Sequence, residues 1–190
     1  MIRELTLNEI QTTYQQYLIN DFPQDEVKPL AIIEKLYQEK QYRCFGLFNS
    51  QNQLLAYAYL ATFQQSNLKS YLLDYYAVVS TYRNQGHGSQ LLQALLKQLG
   101  DYCLLVEIED LQKASTAKEK QIRQRRLNFY QQNGLKLTKV SAYLYGVDYQ
   151  IMYYAQQNYD DAFILQELTK VYAQLFAHVV PKPYQVTIDQ

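Results

Sequence analysis

A chain of 190 residues is the size of one ordinary domain and can bury a substantial core without disulfide or metal staples. Its composition, 48% hydrophobic and 19% charged, excludes a disordered or collagen-like chain. Eighteen basic residues balance eighteen acidic ones, so no general electrostatic attraction draws it to nucleic acid or to an anionic membrane. Twenty tyrosines against seven phenylalanines and no tryptophan are the anomaly, since a large apolar ring with a hydroxyl suits strands, a cleft or an interface. The N-terminus meets charge at Arg3 and Glu4 before any apolar run long enough for a signal peptide. The most apolar stretches, 56–63 and 91–99, are much shorter than the roughly 20 residues of a membrane-spanning helix. Cys44 and Cys103 match no zinc or redox spacing and read as two buried reduced thiols. Together these features predict a soluble, cytoplasmic protein.

Residues 2–5 alternate as a short strand, and Asn8 is the predicted cap of a helix carrying Ile10, Tyr14, Tyr17 and Leu18. Phe22-Pro23 ends it. A second helix is predicted from Asp25, with Leu30, Ile33 and Leu36 on one face. Residues 44–48 and 53–63 flank the polar turn 49–52 and read as a hairpin. A further strand spans 68–79, and a helix with Leu91, Leu92, Leu95, Leu96 and Leu99 on its buried stripe follows soon after. Residues 102–108 form the next strand. A basic helix then runs through Tyr130 to Asn133-Gly134, where Gly134 suits the left-handed residue past a helix end. Residues 135–145 and 147–154 are a second hairpin broken at Gly146, with which the sheet is expected to end. Residues 160–177 carry helical spacing, His178 is placed to complement that helix's dipole, and 184–188 form a β-prone tail. This order implies a mixed sheet covered by helices.

The chemistry concentrates between Leu72 and Leu92. A strand, then Arg83-Asn84-Gln85-Gly86-His87-Gly88-Ser89, then a helix, directs unpaired backbone N–H groups toward one point at the positive end of the helix. The glycines remove Cβ atoms and allow a diphosphate close to the backbone. An ordinary strand–helix turn without a ligand is the alternative on local chemistry alone. A P-loop is excluded, because no Gly-Lys-Ser/Thr follows Gly86. A dinucleotide fingerprint also fits poorly: Leu91 stands where its third glycine belongs, and the turn follows two helices and a hairpin rather than an initial βαβ strand.

The segment from Tyr76 to Ser89 resembles the signature of the GCN5-related N-acetyltransferases (GNAT), a strand followed by Arg/Gln-x-x-Gly-x-Gly/Ala. Arg126-Leu127-Asn128-Phe129-Tyr130-Gln131-Gln132-Asn133-Gly134-Leu135 is similar to a second family element, an aromatic–Tyr pair on a helix before Gly-aliphatic. Val79-Ser80 departs from the Asp-Pro of many members. The resemblance implies an α/β (α+β) fold, a mixed, mostly antiparallel sheet with a splayed central strand pair flanked by helices. It places an acetyltransferase domain at 1–155, with an extra C-terminal helix and tail, 156–190, packed on it.

The resemblance further implies that acetyl-CoA is the cosubstrate. Its pyrophosphate would rest on the main chain of Asn84, Gln85, Gly86, His87, Gly88 and Ser89, flanked by Arg83, with the His87 side chain a spectator. Pantetheine would lie along Ala77, Val78 and Val79, with an N–H near Val78 stabilising the oxyanion. An amine must lose a proton to attack, which assigns Glu107 as general base, with Glu109 and Asp74 behind it. Tyr130 is matched to the family's proton donor to the thiolate, and Asn128 is a weaker cofactor contact. The basic residues Lys118, Lys120, Arg123, Arg125 and Arg126 read as a solvated face, or as attraction for the 3′-phosphate. The acceptor is a small-molecule amine or a peptide amine, met by 17–28, the tyrosines 143–149 and the tail. Neither metal, nucleic acid nor membrane is expected, and a homodimer fits the family. A catalytically silent acetyl-CoA sensor is the alternative function.

Overall fold

In the computed structural model, residues 1–24, 26–63, 69–177, 179 and 181–188 are described. Apolar runs on either side of the turn at 49–53 make the most deeply buried hairpin. Strands β2 (Tyr42–Phe48) and β3 (Leu54–Ala61) pair antiparallel, with Cys44 opposite Tyr59 and Gly46 opposite Tyr57. The Asn49 Oδ1 atom accepts the N–H groups of Gln51 and Gln53, both at 2.9 Å, which explains a turn of this composition. Strand β1 (Ile2–Glu4) adds antiparallel to the outer side of β2, and β4 (Ser70–Val78) follows β3 in the order.

Residues 1–62 and 73–95 form one compact unit, and 63–72 and 96–190 a second, so that β4 contributes to both. In the first unit α1 (Leu7–Thr13) runs directly into a π-helical turn at 14–18 and a short α2 (Ile19–Asp21), and α3 (Leu30–Gln38) follows. Ile10, Leu18 and Ile33 are fully buried. The cap of α1 is Thr6 rather than Asn8: its hydroxyl accepts the Glu9 N–H while the Glu9 carboxylate accepts the Thr6 N–H at 2.9 Å, a capping box. Arg3 grips the same carboxylate at 2.6 and 2.8 Å. The second helix begins at Leu30, after Pro29, and not at residue 25; Asp25 lies outside the described residues. Proline disfavours helical backbone in the residue before it, and the N–H of that residue, Lys28, instead donates to the Tyr75 hydroxyl at 2.8 Å.

The second unit holds β5 (Cys103–Glu109), β6 (Lys136–Leu144), β7 (Val147–Tyr154) and β8 (Tyr184–Ile188) in the order β5-β7-β6-β8, all antiparallel. Tyr145 and Gly146, at φ 47° and 89°, supply the left-handed pair that a two-residue hairpin needs. The sheet does not end at β7 as the sequence suggests: the tail strand β8 pairs with β6, Val140 opposite Ile188. Helix α4 (His87–Gln98) starts in the first unit, while α5 (Ala117–Gln132) and α6 (Asp161–Leu175) belong to the second. The Asp160 side chain caps α6 on the Phe163 N–H at 2.8 Å; His178 lies outside the described residues. The fold as a whole is mixed α/β, a mostly antiparallel sheet with one parallel pair and flanking helices.

Helix α6 buries Ile164, Leu168, Val171 and Tyr172 and, among them, Glu167. The Glu167 carboxylate accepts the Lys69 N–H at 2.8 Å and the Ser70 hydroxyl at 2.9 Å, and pairs with Lys170 at 2.9 Å. Glu167→Ala is therefore expected to cost about 3 kcal/mol in urea denaturation, because it strands buried donors; a loss under about 1 kcal/mol would dismiss the clamp. Acid stability offers a second check. The Arg3 hydrogen bonds, with the Thr6 cap, lower the Glu9 carboxyl from 4.5 to about 2. Its contribution is complete above 4.5 and disappears as pH falls toward 2, so Glu9→Gln should flatten the acid limb of stability across that window.

Candidate active site

The strand-to-helix turn begins where β4 ends. The Val79 N–H donates to the Leu55 carbonyl at 2.9 Å, a 3-10 turn covers 80–82, and Arg83 is extended. Asn84 and Gly86 both take left-handed backbone, φ 62° and 82°. The first helical bond of α4 runs from the Gln90 N–H to the Gly86 carbonyl at 3.0 Å, so the N–H groups of His87 and Gly88 precede it and have no acceptor within the helix. A Cβ built on Gly86 would meet nothing within 4 Å, which leaves that side of the turn open for an anion. The Tyr76 hydroxyl donates to the Gly88 carbonyl and so ties β4 to the first turn of α4. The His87 ring packs edge-on to Tyr82 at 6.2 Å and its Nδ1 lies 3.4 Å from Gln90 Oε1.

The Arg83 guanidinium is committed within its own unit. It pairs with Asp21 at 2.6 Å and its Nε donates to the Val78 carbonyl at 3.1 Å, while Asp21 also accepts the Tyr57 hydroxyl at 3.0 Å. Ala77 and Val78 are half-buried and Val79 is buried. Asp74 takes two bonds from Lys28 Nζ, each 2.9 Å, and one from the Tyr42 hydroxyl. That carboxylate takes part in a largely buried ion pair. A cavity of about 530 Å³ beside the strand exit is lined by Thr13, Gln16, Tyr17, Gln53, Val79 and Ser80, among others.

In the second unit Glu107 and Glu109 stand at the end of β5, opposite Ile151 and Tyr149. Arg123 and Arg126 of the basic helix pair with Glu109 at 3.5 and 3.6 Å, so part of the face expected to be solvated neutralises β5 instead. The Glu107 Oε1 atom accepts the Tyr172 hydroxyl from α6. Tyr130 is buried, edge-on to Phe129 at 5.1 Å, and burial pushes its phenol up to about 12 against the opposing Arg126 charge. Asn128 is exposed and accepts from the Gln124 side chain at 2.8 Å. A second cavity, about 400 Å³, is lined by Asp110, Tyr143, Asp148 and Tyr149 with residues of β8.

The family model of the acetyltransferase (GNAT) family matches residues 7–134, about two thirds of the chain, covering the turn, β5 and α5 to Gly134. The chain belongs to the GNAT acetyltransferase family. Solved structures agree on the fold. A GNAT-family protein from Bacteroides thetaiotaomicron superposes with TM-score 0.72 at 17% identity, over 94% of this chain and 99% of that one. The ribosomal-protein-S18-alanine N-acetyltransferase of Escherichia coli gives 0.58 at 21%, over 85% and 96%. Spermidine N-acetyltransferase from Vibrio cholerae, solved with CoA and spermine, gives 0.62 at 12%, over 82% and 95%. No curated protein matches the chain. Acetyl-CoA is the cosubstrate of the GNAT family.

Among the described residues, no helix is long and apolar enough to cross a membrane, and no group of three or more His, Cys, Asp or Glu side chains is placed to hold a metal ion. Cys44 and Cys103 are buried and form no disulfide. The sequence reading did not single out Asp21, Tyr76 as a hydroxyl donor, or Tyr172. For Tyr172 a signal exists: it lies four residues after Leu168 on the apolar stripe of α6, and a buried phenol there requires an acceptor. Gly86 offers the direct check on the turn. Gly86→Ala should lose about 1–2 kcal/mol from left-handed strain alone, with no steric addition, in a denaturation measurement; an unchanged stability would mean that the turn is not held in this conformation.

Proposed function

We propose that this GNAT protein transfers an acetyl group from acetyl-CoA to a primary amine by direct attack. The observation that carries the reading is the open turn at Gly86, where left-handed backbone at 84 and 86 leaves the first N–H groups of α4 without helical acceptors and without a Cβ in front of them. A diphosphate suits that chemistry. Asn84 to Ser89 hold it through the main chain, and Arg83 acts by fixing the strand exit through Asp21 and the Val78 carbonyl. Ala77, Val78 and Val79 lie along the pantetheine, and Asn128 is a further cofactor contact.

In the reaction the amine nitrogen forms a bond to the thioester carbonyl carbon, an N–H near Val78 stabilises the oxyanion, and the C–S bond then breaks. Glu107 takes the proton that the amine must lose, and Tyr130 hydrogen-bonds the departing sulfur. The acceptor class is an amine. The spermidine and ribosomal-protein acetyltransferases of the same fold act on amines by name, and the cavity with Asp110, Asp148, Tyr143 and Tyr149 has the carboxylates and ring faces that attract a cationic nitrogen. Residues 1–155 form the acetyltransferase domain, and 156–190 an addition packed on it.

The test is thiol release from acetyl-CoA with a panel of polyamines, aminoglycosides, amino acids and peptides. Turnover with at least one amine is expected; binding of acetyl-CoA with no turnover across the panel would favour the silent sensor. Tyr130→Phe should lower kcat by about 100-fold while acetyl-CoA affinity stays within about twofold; unaltered turnover would remove Tyr130 from the mechanism.

A further inference from the structure

Helix α6 lies beyond the residues that the family model matches, yet it touches the strand that carries the proposed base. The Tyr172 hydroxyl donates to Glu107 Oε1, across 65 residues of sequence. Tyr172 is fully buried, and its ring is wedged against Phe176 at 5.6 Å and Tyr184 at 4.9 Å, so the phenol has a fixed place from which to donate. One turn and a half earlier on the same helix, Glu167 is anchored to Lys69 and Ser70 in the same unit. The helix is therefore pinned at both ends of the path along which Tyr172 reaches β5.

We propose that Tyr172 is a positioning residue for acetyl transfer, supplied by the C-terminal helix, which orients the Glu107 carboxylate. An unrestrained glutamate side chain rotates about three bonds and samples many directions; one oxygen held by a buried phenol restricts those rotations and fixes where the carboxylate points. The helix then contributes to the reaction without touching cosubstrate or acceptor. This inference rests on the reading of Glu107 as the base.

A double-mutant cycle on the full chain separates the two claims. Glu107→Gln should lower kcat by about 100-fold. Tyr172→Phe, which keeps the ring in its aromatic cluster, should lower kcat by about 10-fold, with acetyl-CoA affinity within about twofold of wild type. In the Glu107→Gln background the same Phe substitution should change kcat by less than about twofold, because the carboxylate it serves is gone. Multiplying effects in the double variant would overturn the positioning role while leaving Glu107 as base; full activity of Glu107→Gln would overturn both. Site-specific 3-fluorotyrosine at position 172 gives a readout that does not depend on the Phe variant folding. It alters phenol acidity with little change in shape, so kcat should move by at least about twofold, and an unchanged kcat refutes the proposal.

Discussion

Backbone conformation at two residues determines where α4 begins. Asn84 and Gly86 are left-handed, and the helix starts directly after them, with the His87 and Gly88 N–H groups ahead of its first helical bond. For Gly86 the conformation carries no penalty, while for Asn84 it is among the few side chains that tolerate it. Side-chain contacts hold this geometry. The Tyr76 hydroxyl reaches the Gly88 carbonyl, and Arg83 joins Asp21 to the Val78 carbonyl. Arg83 is about half exposed and Asp21 only 10% exposed, so the pair is anchored from the buried side and worth more than a free surface ion pair. The conformation of the turn depends on these local restraints, all of which lie within one unit.

The surplus of tyrosine has a structural explanation in hydroxyl donation. Tyr42 donates to Asp74, Tyr57 to Asp21, Tyr75 to the Glu26 carbonyl, Tyr76 to the Gly88 carbonyl and Tyr172 to Glu107. Phenylalanine would fill the same volumes but leave three carboxylates without these donors. Burial raises the phenols of Tyr42, Tyr57 and Tyr75, so each remains a donor throughout the physiological range. Rings that pack as core thus also hold the charged groups in place, and composition alone cannot separate the two roles because both use the same residue.

What was legible in the sequence follows the range of the interactions involved. The turn, its two glycines, the leucine stripe of α4 and the hairpin break at Gly146 are local in chain distance, and periodicity or turn chemistry reveals them. The capping residue was misread because Thr6 and Asn8 are both good caps; the Glu9 carboxylate three residues past Thr6 decides between them. The late start of α3 was written in Pro29, whose effect on Lys28 outweighed the apolar spacing. By contrast, β8 joins the sheet through pairing with residues at least 40 positions away, and Glu167 reaches Lys69 across 98. Nothing in the local pattern of Tyr184 to Ile188 or of α6 announces such partners. The base candidates illustrate the same limit: the sequence ranks Glu107 ahead of Glu109 and Asp74 by place on the strands, and only the structure shows their partners, Tyr172, two arginines and Lys28 respectively.

The proton balance of the proposed reaction constrains Tyr130. Its phenol is held up to about 12 by burial, whereas an ordinary thiol titrates near about 8.5. Burial therefore disfavours complete transfer of the phenolic proton to a formed thiolate. A neutral phenol is nevertheless a good hydrogen-bond donor at every pH where the reaction would run, and charge appearing on sulfur as the C–S bond lengthens strengthens that bond in the transition state relative to the thioester. On this reading Tyr130 stabilises the leaving group without giving up its proton, and the proton that finally reaches the thiol comes from solvent or from the nitrogen as it becomes an amide. Glu107 then has to handle only the first proton, the one that keeps the amine from attacking, and the two residues act at different moments on different atoms.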